Sequence, residues 1–151
     1  MKAPTFNLPD QNNLQHTLEQ YHGAWLVLYF YPKDDTPGCT KEACNFRDQL
    51  GSLIALGATV LGVSADTIDS HGKFAGKYSL NFPLLADAGA EVAKAYGAYG
   101  EKNMYGKIFE GVFRYTFLID PSGEIIKTWK KVDTETHAQA VEKVLREAQS
   151  A

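Results

Sequence analysis

Residues 25–31 read WLVLYFY, an unbroken run of apolar and aromatic side chains. Such a run has no polar side to show to water, so both faces of the element it forms must be covered. That is the pattern of a central strand in an α/β protein. Residues 59–64, TVLGVS, read as a second buried strand. FPLLA, 82–86, suggests a short third one, weakened by Pro83, which cannot donate to a sheet ladder. YTFLID, 115–120, and EIIKTWK, 124–130, flank Pro121-Ser122-Gly123 and read as a hairpin.

Helical patterns fill the intervals. From Thr40 to Leu56, residues Ala43, Phe46, Leu50, Leu53 and Ile54 fall at helical spacing, and Gly57 is suited to end the helix. Asp66 or Thr67 is placed to cap a helix running through Tyr78, with Ile68, Phe74 and Tyr78 toward one side. A short helix carries Val92, Ala93 and Tyr96, and a last one carries Ala138, Val141, Val144, Leu145 and Ala148. Residues 97–111 are expected to be an irregular glycine-containing loop. Strands alternating with helices, then a hairpin and a helix, predict an α/β sandwich around a mixed sheet. One domain over residues 1–151 accounts for the whole pattern.

Charge and composition exclude several classes of function. The formal net charge is −3, which gives no electrostatic reason to expect nucleic acid or an anionic membrane as partner. No apolar run approaches a membrane span. The opening MKAPTFNLPDQ lacks the apolar stretch of a secretory signal. The expected location is the cytoplasm, where a purely structural disulfide is unusual.

Both cysteines lie in PKDDTPGCTKEAC, residues 32–44, between the end of a strand and the start of a helix. α/β folds place ligand sites there, because unpaired backbone N–H groups point outward. Cys39 falls in the first turn, where those groups and the positive end of the helix dipole favour a thiolate. At about 100° per residue, Cys39 projects into the apolar stripe and Cys44 roughly 130° away, outward or toward a neighbouring loop. Five residues of helix separate the two Cα atoms by about 8–9 Å. A disulfide rarely tolerates more than about 7 Å, so pairing would require the first turns to unwind.

Other readings of these residues stand beside this one. Free cysteines are often simply packed in cores. A Cys at a helix start after Pro-Gly, with a threonine three residues upstream, is a poor packing position. A metal site has little support: CxxxxC lacks the short zinc spacing, and His16, His22, His71 and His137 are scattered singly, each read as a surface or core residue. No CxxC, GxSxG or HExxH motif is present, and Gly106-Lys107 lacks the frame of a phosphate loop. Asp34 and Asp35 read as a solvated turn. Near a thiolate they would oppose its charge, so something positive must outweigh them.

Pro32-x3-Thr36-x2-Cys39 matches the PxxxTxxC motif of the peroxiredoxins, thiol peroxidases with a thioredoxin-like fold. More closely, YFYPKDDTPGCTKEAC resembles the bacterioferritin comigratory protein, or Q-type, branch. APTFNLPDQ, LGVSAD at 61–66, FPLLAD at 82–87, YGEKNMYGK at 99–107 and RYTFLID at 114–120 resemble the same branch, so the likeness spans nearly the whole chain.

The resemblance implies roles. Cys39 would be the peroxidatic thiol, oxidised to sulfenic acid. Thr36 would hold the peroxide in line with the sulfur, and Pro32 would shield the thiolate and shape the turn. Arg114, just before the YTFLID strand, would supply a permanent cation to sulfur and peroxide. Glu42 would orient that arginine or handle protons, although a glutamate in a first helical turn is also favoured by the dipole alone. Cys44 would be the resolving thiol, giving an intramolecular disulfide with local unwinding. Thioredoxin or glutaredoxin would reduce it. No metal or cofactor is expected, the substrates would be hydrogen peroxide and organic hydroperoxides, and the branch tends toward monomers. A redox relay using the same cysteines, or a non-enzymatic binding domain, are the competing readings.

Overall fold

The computed structural model describes residues 1–150; the single domain expected over 1–151 extends to Ala151, which lies outside them. At the N-terminus β1 (Asn7–Pro9) and β2 (Gln15–Thr17) pair as a small antiparallel ribbon. The apolar run then becomes β3 (Trp25–Phe30), followed by α1 (Pro37–Ala55), β4 (Ala58–Ser64), α2 (Ile68–Tyr78) and β5 (Leu84–Ala86). After these come α3 (Glu91–Ala95), the pair β6 (Tyr99–Met104) and β7 (Lys107–Val112), the pair β8 (Thr116–Ile119) and β9 (Ile125–Trp129), and α4 (His137–Ser150). The main sheet has the order β5-β4-β3-β8-β9. β3 lies at its centre, parallel to β4 and antiparallel to β8, so the sheet is mixed as expected.

The uninterrupted run of β3 follows from this position. Successive side chains point to opposite faces of a strand. Val27, Tyr29 and Tyr31 enter a core shared with Cys39, Phe46, Leu53, Phe74 and Val141, from α1, α2 and α4. Leu26, Leu28 and Phe30 enter a second core with Ala93, Tyr96 and Phe117 on the other face. Neither set could be polar without burying an unpaired group.

Helix α1 begins three residues earlier than its apolar spacing indicates. Pro37 occupies its first position, where a missing N–H costs nothing, and Thr36 is the extended N-cap residue. Its buried positions are Cys39, Glu42, Ala43, Phe46, Leu50 and Leu53. Ile54, expected on this stripe, is 59% exposed; Leu53 alone of the pair turns inward. Gly57, at φ +81°, takes the left-handed conformation that ends the helix. Thr67 caps α2 by accepting a hydrogen bond from Ser70 N at 3.1 Å.

One expectation is overturned. Residues 97–111 are not an irregular loop: β6 and β7 form an antiparallel hairpin in register from Tyr99 opposite Val112 to Met104 opposite Lys107. Tyr105 and Gly106, at φ 54° and 83°, make the two-residue turn with both central residues left-handed, which suits the twist of paired strands. Most of the hairpin's side chains are exposed, so it carries no alternation of apolar and polar residues to reveal it. No helix among the described residues is long and apolar enough to cross a membrane.

Candidate active site

Cys39 is the third residue of α1 and is only 2% exposed. The backbone enters the helix through Thr36, whose carbonyl accepts from Thr40 N at 2.8 Å. The segment between β7 and β8 brings Arg114 over this turn. Its Nη2 donates to Cys39 Sγ at 3.3 Å and its Nη1 donates to Glu42 Oε1 at 2.8 Å. Glu42 stands three residues after Cys39, so helical geometry puts both on one face and one guanidinium reaches both. Gly38 makes room for it: a Cβ there would lie 3.1 Å from Arg114 Nη2. The glycine thus has a function that its place in a turn does not suggest.

Glu42 is fully buried. It is the sixth residue of α1 and lies beyond the first turn, so the dipole explanation for it fails. Burial pushes its carboxyl up to about 7 against the pull of Arg114. Oε2 has no hydrogen-bond partner among the described residues, and neither does the buried hydroxyl of Tyr29. Burial, then the nearby Arg114, hold His137 down to about 4, and its Nε2 lies 2.8 Å from Thr116 Oγ1. For Arg114 itself, burial works against the charge, but Cys39 and Glu42 outweigh burial and raise its pKa. The site is therefore a mostly dry pocket with a fixed cation between a sulfur and a carboxyl that titrates near neutrality.

The remaining sites expected from the sequence fall as follows. Thr36 and Pro32 are half-buried in the turn before the helix. The Thr36 hydroxyl donates to Lys33 O at 2.9 Å, not to the sulfur, which leaves its oxygen free to accept. Cys44 is half-buried, Cys39 is buried and both are free thiols, in agreement with their expected directions. α1 is continuous through both.

Two features were missed. Asp34 and Asp35 are not a common solvated turn. Asp34 is buried and accepts from Tyr31 Oη at 2.6 Å and Ser70 Oγ at 2.8 Å, with His71 Nδ1 at 2.7 Å. Asp35 is exposed and bonds Lys77 and Tyr78. Ligand atoms of Asp34, Asp66 and His71 lie within 4.8 Å of one another, close enough for a metal ion. All three residues are already engaged: His71 Nε2 meets Leu85 O at 2.9 Å, and Asp66 Oδ2 accepts from Ser64 Oγ and Asp34 N. Sequence spacing gives no hint of this cluster, because its members come from three separate segments. The second missed feature is Lys102, whose Nζ donates to Val112 O at 2.9 Å. Burial, followed by Arg114, lowers its pKa.

A helix-borne buried thiol facing an arginine, on a thioredoxin-like sheet, defines a class, and comparison with known proteins agrees. The model of the AhpC/TSA family matches residues 1–128. The chain is 46% identical over 140 residues to a putative peroxiredoxin bcp of Coxiella burnetii, covering 93% of each protein. It is 41% identical over 145 residues to peroxiredoxin Bcp of Escherichia coli strain K12, covering 96% of this chain and 93% of that one. Among solved structures it is similar to the Xanthomonas campestris bacterioferritin comigratory protein, studied for alkyl peroxide reduction. The TM-score is 0.89 at 41% identity, covering 95% of this chain and 91% of that one. Similarity to Xylella fastidiosa PrxQ gives a TM-score of 0.90 at 38% identity, covering 100% and 98%. The chain belongs to the AhpC/TSA family, in its peroxiredoxin Bcp branch. It is an enzyme, a thiol peroxidase.

Proposed function

We propose that Cys39 reduces hydrogen peroxide and organic hydroperoxides, that Cys44 resolves the product, and that thioredoxin or glutaredoxin restores both thiols. The observation that carries this reading is the single guanidinium of Arg114 held between Cys39 Sγ, at 3.3 Å, and Glu42 Oε1, at 2.8 Å. In the first step the thiolate attacks one peroxide oxygen. An S–O bond forms, the O–O bond breaks, and the second oxygen leaves as alkoxide or hydroxide and takes up a proton. Negative charge moves from sulfur to the departing oxygen. A fixed cation beside both positions stabilises that charge without having to reorient.

The other residues support the same step. Thr36 keeps an acceptor oxygen available to a protonated peroxide. Glu42 fixes Arg114, and with its carboxyl near 7 it is suited to exchange a proton with the pocket. Pro32 shapes the turn and shelters the sulfur. In the second step Cys44 attacks the sulfenic sulfur of Cys39. An S–S bond forms and hydroxide leaves as water. The helical separation of about 8–9 Å requires the start of α1 to unwind before the sulfurs can meet. A dithiol then attacks the disulfide, is itself oxidised, and returns two thiols.

Stopped-flow tryptophan fluorescence tests the scheme, with Trp25 and Trp129 as reporters. Reduced protein mixed with one equivalent of hydrogen peroxide is expected to show a fast phase proportional to peroxide and absent in Cys39→Ser. A slower phase lost in Cys44→Ser should follow. Oxidation at the rate of an ordinary thiol, with hydrogen peroxide and with an organic hydroperoxide alike, would overturn the proposal.

A further inference from the structure

The turn that delivers Cys39 is fastened on its upstream side to β4, to the segment that follows it and to α2. Tyr31 N donates to Val63 O at 3.0 Å, continuing the sheet beyond β3. Asp34 N donates to Asp66 Oδ2 at 2.9 Å, and that same oxygen accepts from Ser64 Oγ at 2.6 Å. The Asp34 carboxylate accepts from Tyr31, Ser70 and His71. His71 is fully buried, and each ring nitrogen faces an acceptor, Asp34 Oδ2 or Leu85 O. Both ring nitrogens are therefore engaged, one at the carboxylate and one at a backbone carbonyl. Asp35, held at φ 56°, binds the other end of α2 through Lys77 Nζ at 2.8 Å and Tyr78 Oη at 2.7 Å. Asp34 and Asp35 together thus bind the turn to both halves of one helix.

Past Thr36 the ties are fewer. Pro37 donates no backbone hydrogen bond. Gly38 has no side chain, and Cys39 is tied across the fold by Arg114 Nη2 at 3.3 Å, a contact that oxidation of the sulfur alters. We propose that the Tyr31–Asp34–His71 cluster, braced by α2, is a positioning anchor. It sets the upstream limit of helix unwinding at Thr36, so that Cys39 swings out while residues 31–35 stay fixed. This rests on the proposed Cys39–Cys44 resolution and adds where the moving segment ends. The anchor is intact in both states, so it holds the pocket in place for the peroxide step and leaves the balance between wound and unwound helix nearly unchanged. Loosening it should slow the first step and leave the second nearly unchanged.

Hydrogen exchange read by mass spectrometry on the full chain tests this. In the disulfide form, amides of residues 40–44 should exchange freely while those of Tyr31 and Asp34, bonded to Val63 O and Asp66 Oδ2, stay protected. In the reduced enzyme, Tyr31 and Asp34 should open more rarely than Thr40. Tyr31→Phe removes one hydrogen bond with almost no change in volume. It should raise exchange at Asp34 roughly tenfold. It should also lower the peroxide rate while leaving the Cys44-dependent rate nearly unchanged. Asp35→Ala, on the surface, should move the same quantities less. Ile119→Val, in the core on the opposite face of the sheet, controls for general loss of stability and should leave the ratio of the two rates unchanged.

A peptide map under non-reducing conditions separates the two ideas. Absence of a Cys39–Cys44 disulfide overturns the proposed resolution, while the reduced-state boundary still decides the anchor. A disulfide with the amides of Tyr31 and Asp34 exchanging as freely as those of 40–44 overturns the anchor. So does a ratio of rates that Tyr31→Phe and Ile119→Val change alike.

Discussion

Two buried acid–base contacts flank Cys39, and they are built differently. Upstream, Asp34 and His71 form a saturated cluster: the carboxylate accepts from three side chains and both ring nitrogens meet acceptors. Downstream, Arg114 and Glu42 form an unfinished one: Glu42 Oε2 has no partner among the described residues, and burial pushes the carboxyl up to about 7. A satisfied network rigidifies, whereas a partly satisfied one is held at a cost in stability. The difference separates holding from chemistry. The saturated pair fixes the backbone that presents the thiol, and the unfinished pair leaves a titratable group and a cation facing the reacting atoms.

The comparison breaks most visibly at Asp34. Asp34→Ala leaves the buried Tyr31 hydroxyl and His71 Nδ1 without their acceptor, and leaving a buried polar group unsatisfied costs about 1–3 kcal/mol. Urea unfolding of the reduced protein should show a loss of that size. A loss under ~1 kcal/mol would mean that the cluster does not hold the fold. Arg114→Met is expected to leave the fold largely intact and to slow the peroxide step by about 10²–10³-fold, the usual effect of removing a preorganised charge. Competition kinetics against a second peroxidase measures it. A rate within a few-fold of wild type would remove Arg114 from the chemistry.

Glu42 sharpens the contrast through pH. In the fold its carboxyl keeps a proton up to about 7, against an ordinary 4.5 once the chain unfolds. Between those values unfolding releases a proton, so this stabilising contribution is complete below 4.5 and is lost as pH rises toward 7. His137 has the opposite sign. It is held at about 4 against 6.5, so its contribution is lost as pH falls from 6.5 toward 4. The two offset each other below about 6.5, and Glu42 acts alone above it. Glu42→Gln should therefore gain stability relative to wild type as pH is raised from 5 to 8, read as the difference in urea midpoints. A constant difference would mean that Glu42 is ionised throughout.

The smallest effect belongs to Asp35. Its pair with Lys77 is solvent-exposed, and such pairs contribute little because water and salt screen them. Asp35→Ala should leave the urea midpoint nearly unchanged, the more so in salt. A loss as large as that of Asp34→Ala would erase the distinction between the two neighbours.

Those two aspartates also mark how far the sequence can be read. Adjacent, identical and next to two prolines, they look alike in the chain. One is buried between the end of β3 and the first turn of α2; the other meets the last turn of α2 at the surface. The β6–β7 hairpin escaped for a related reason: most of its residues are exposed, so no alternation betrays it. Arg114 could be singled out only by resemblance, since an arginine before a strand is ordinarily a surface charge.

What the sequence determined by itself is whatever depends on neighbours along the chain. The run at 25–31 demanded a strand covered on both faces. The spacing of Ala43, Phe46, Leu50 and Leu53 set the phase of α1, and with it an inward Cys39 and a less buried Cys44. The PxxxTxxC pattern pointed to the chemistry. What only the tertiary structure decided depends on partners brought from far away. Arg114 meets a sulfur 75 residues earlier, and Asp34 meets a ring 37 residues later. Burial and charge at such meetings set the carboxyl of Glu42 and the rigidity of the turn. Both depend on distance in space, which no local pattern in the chain records.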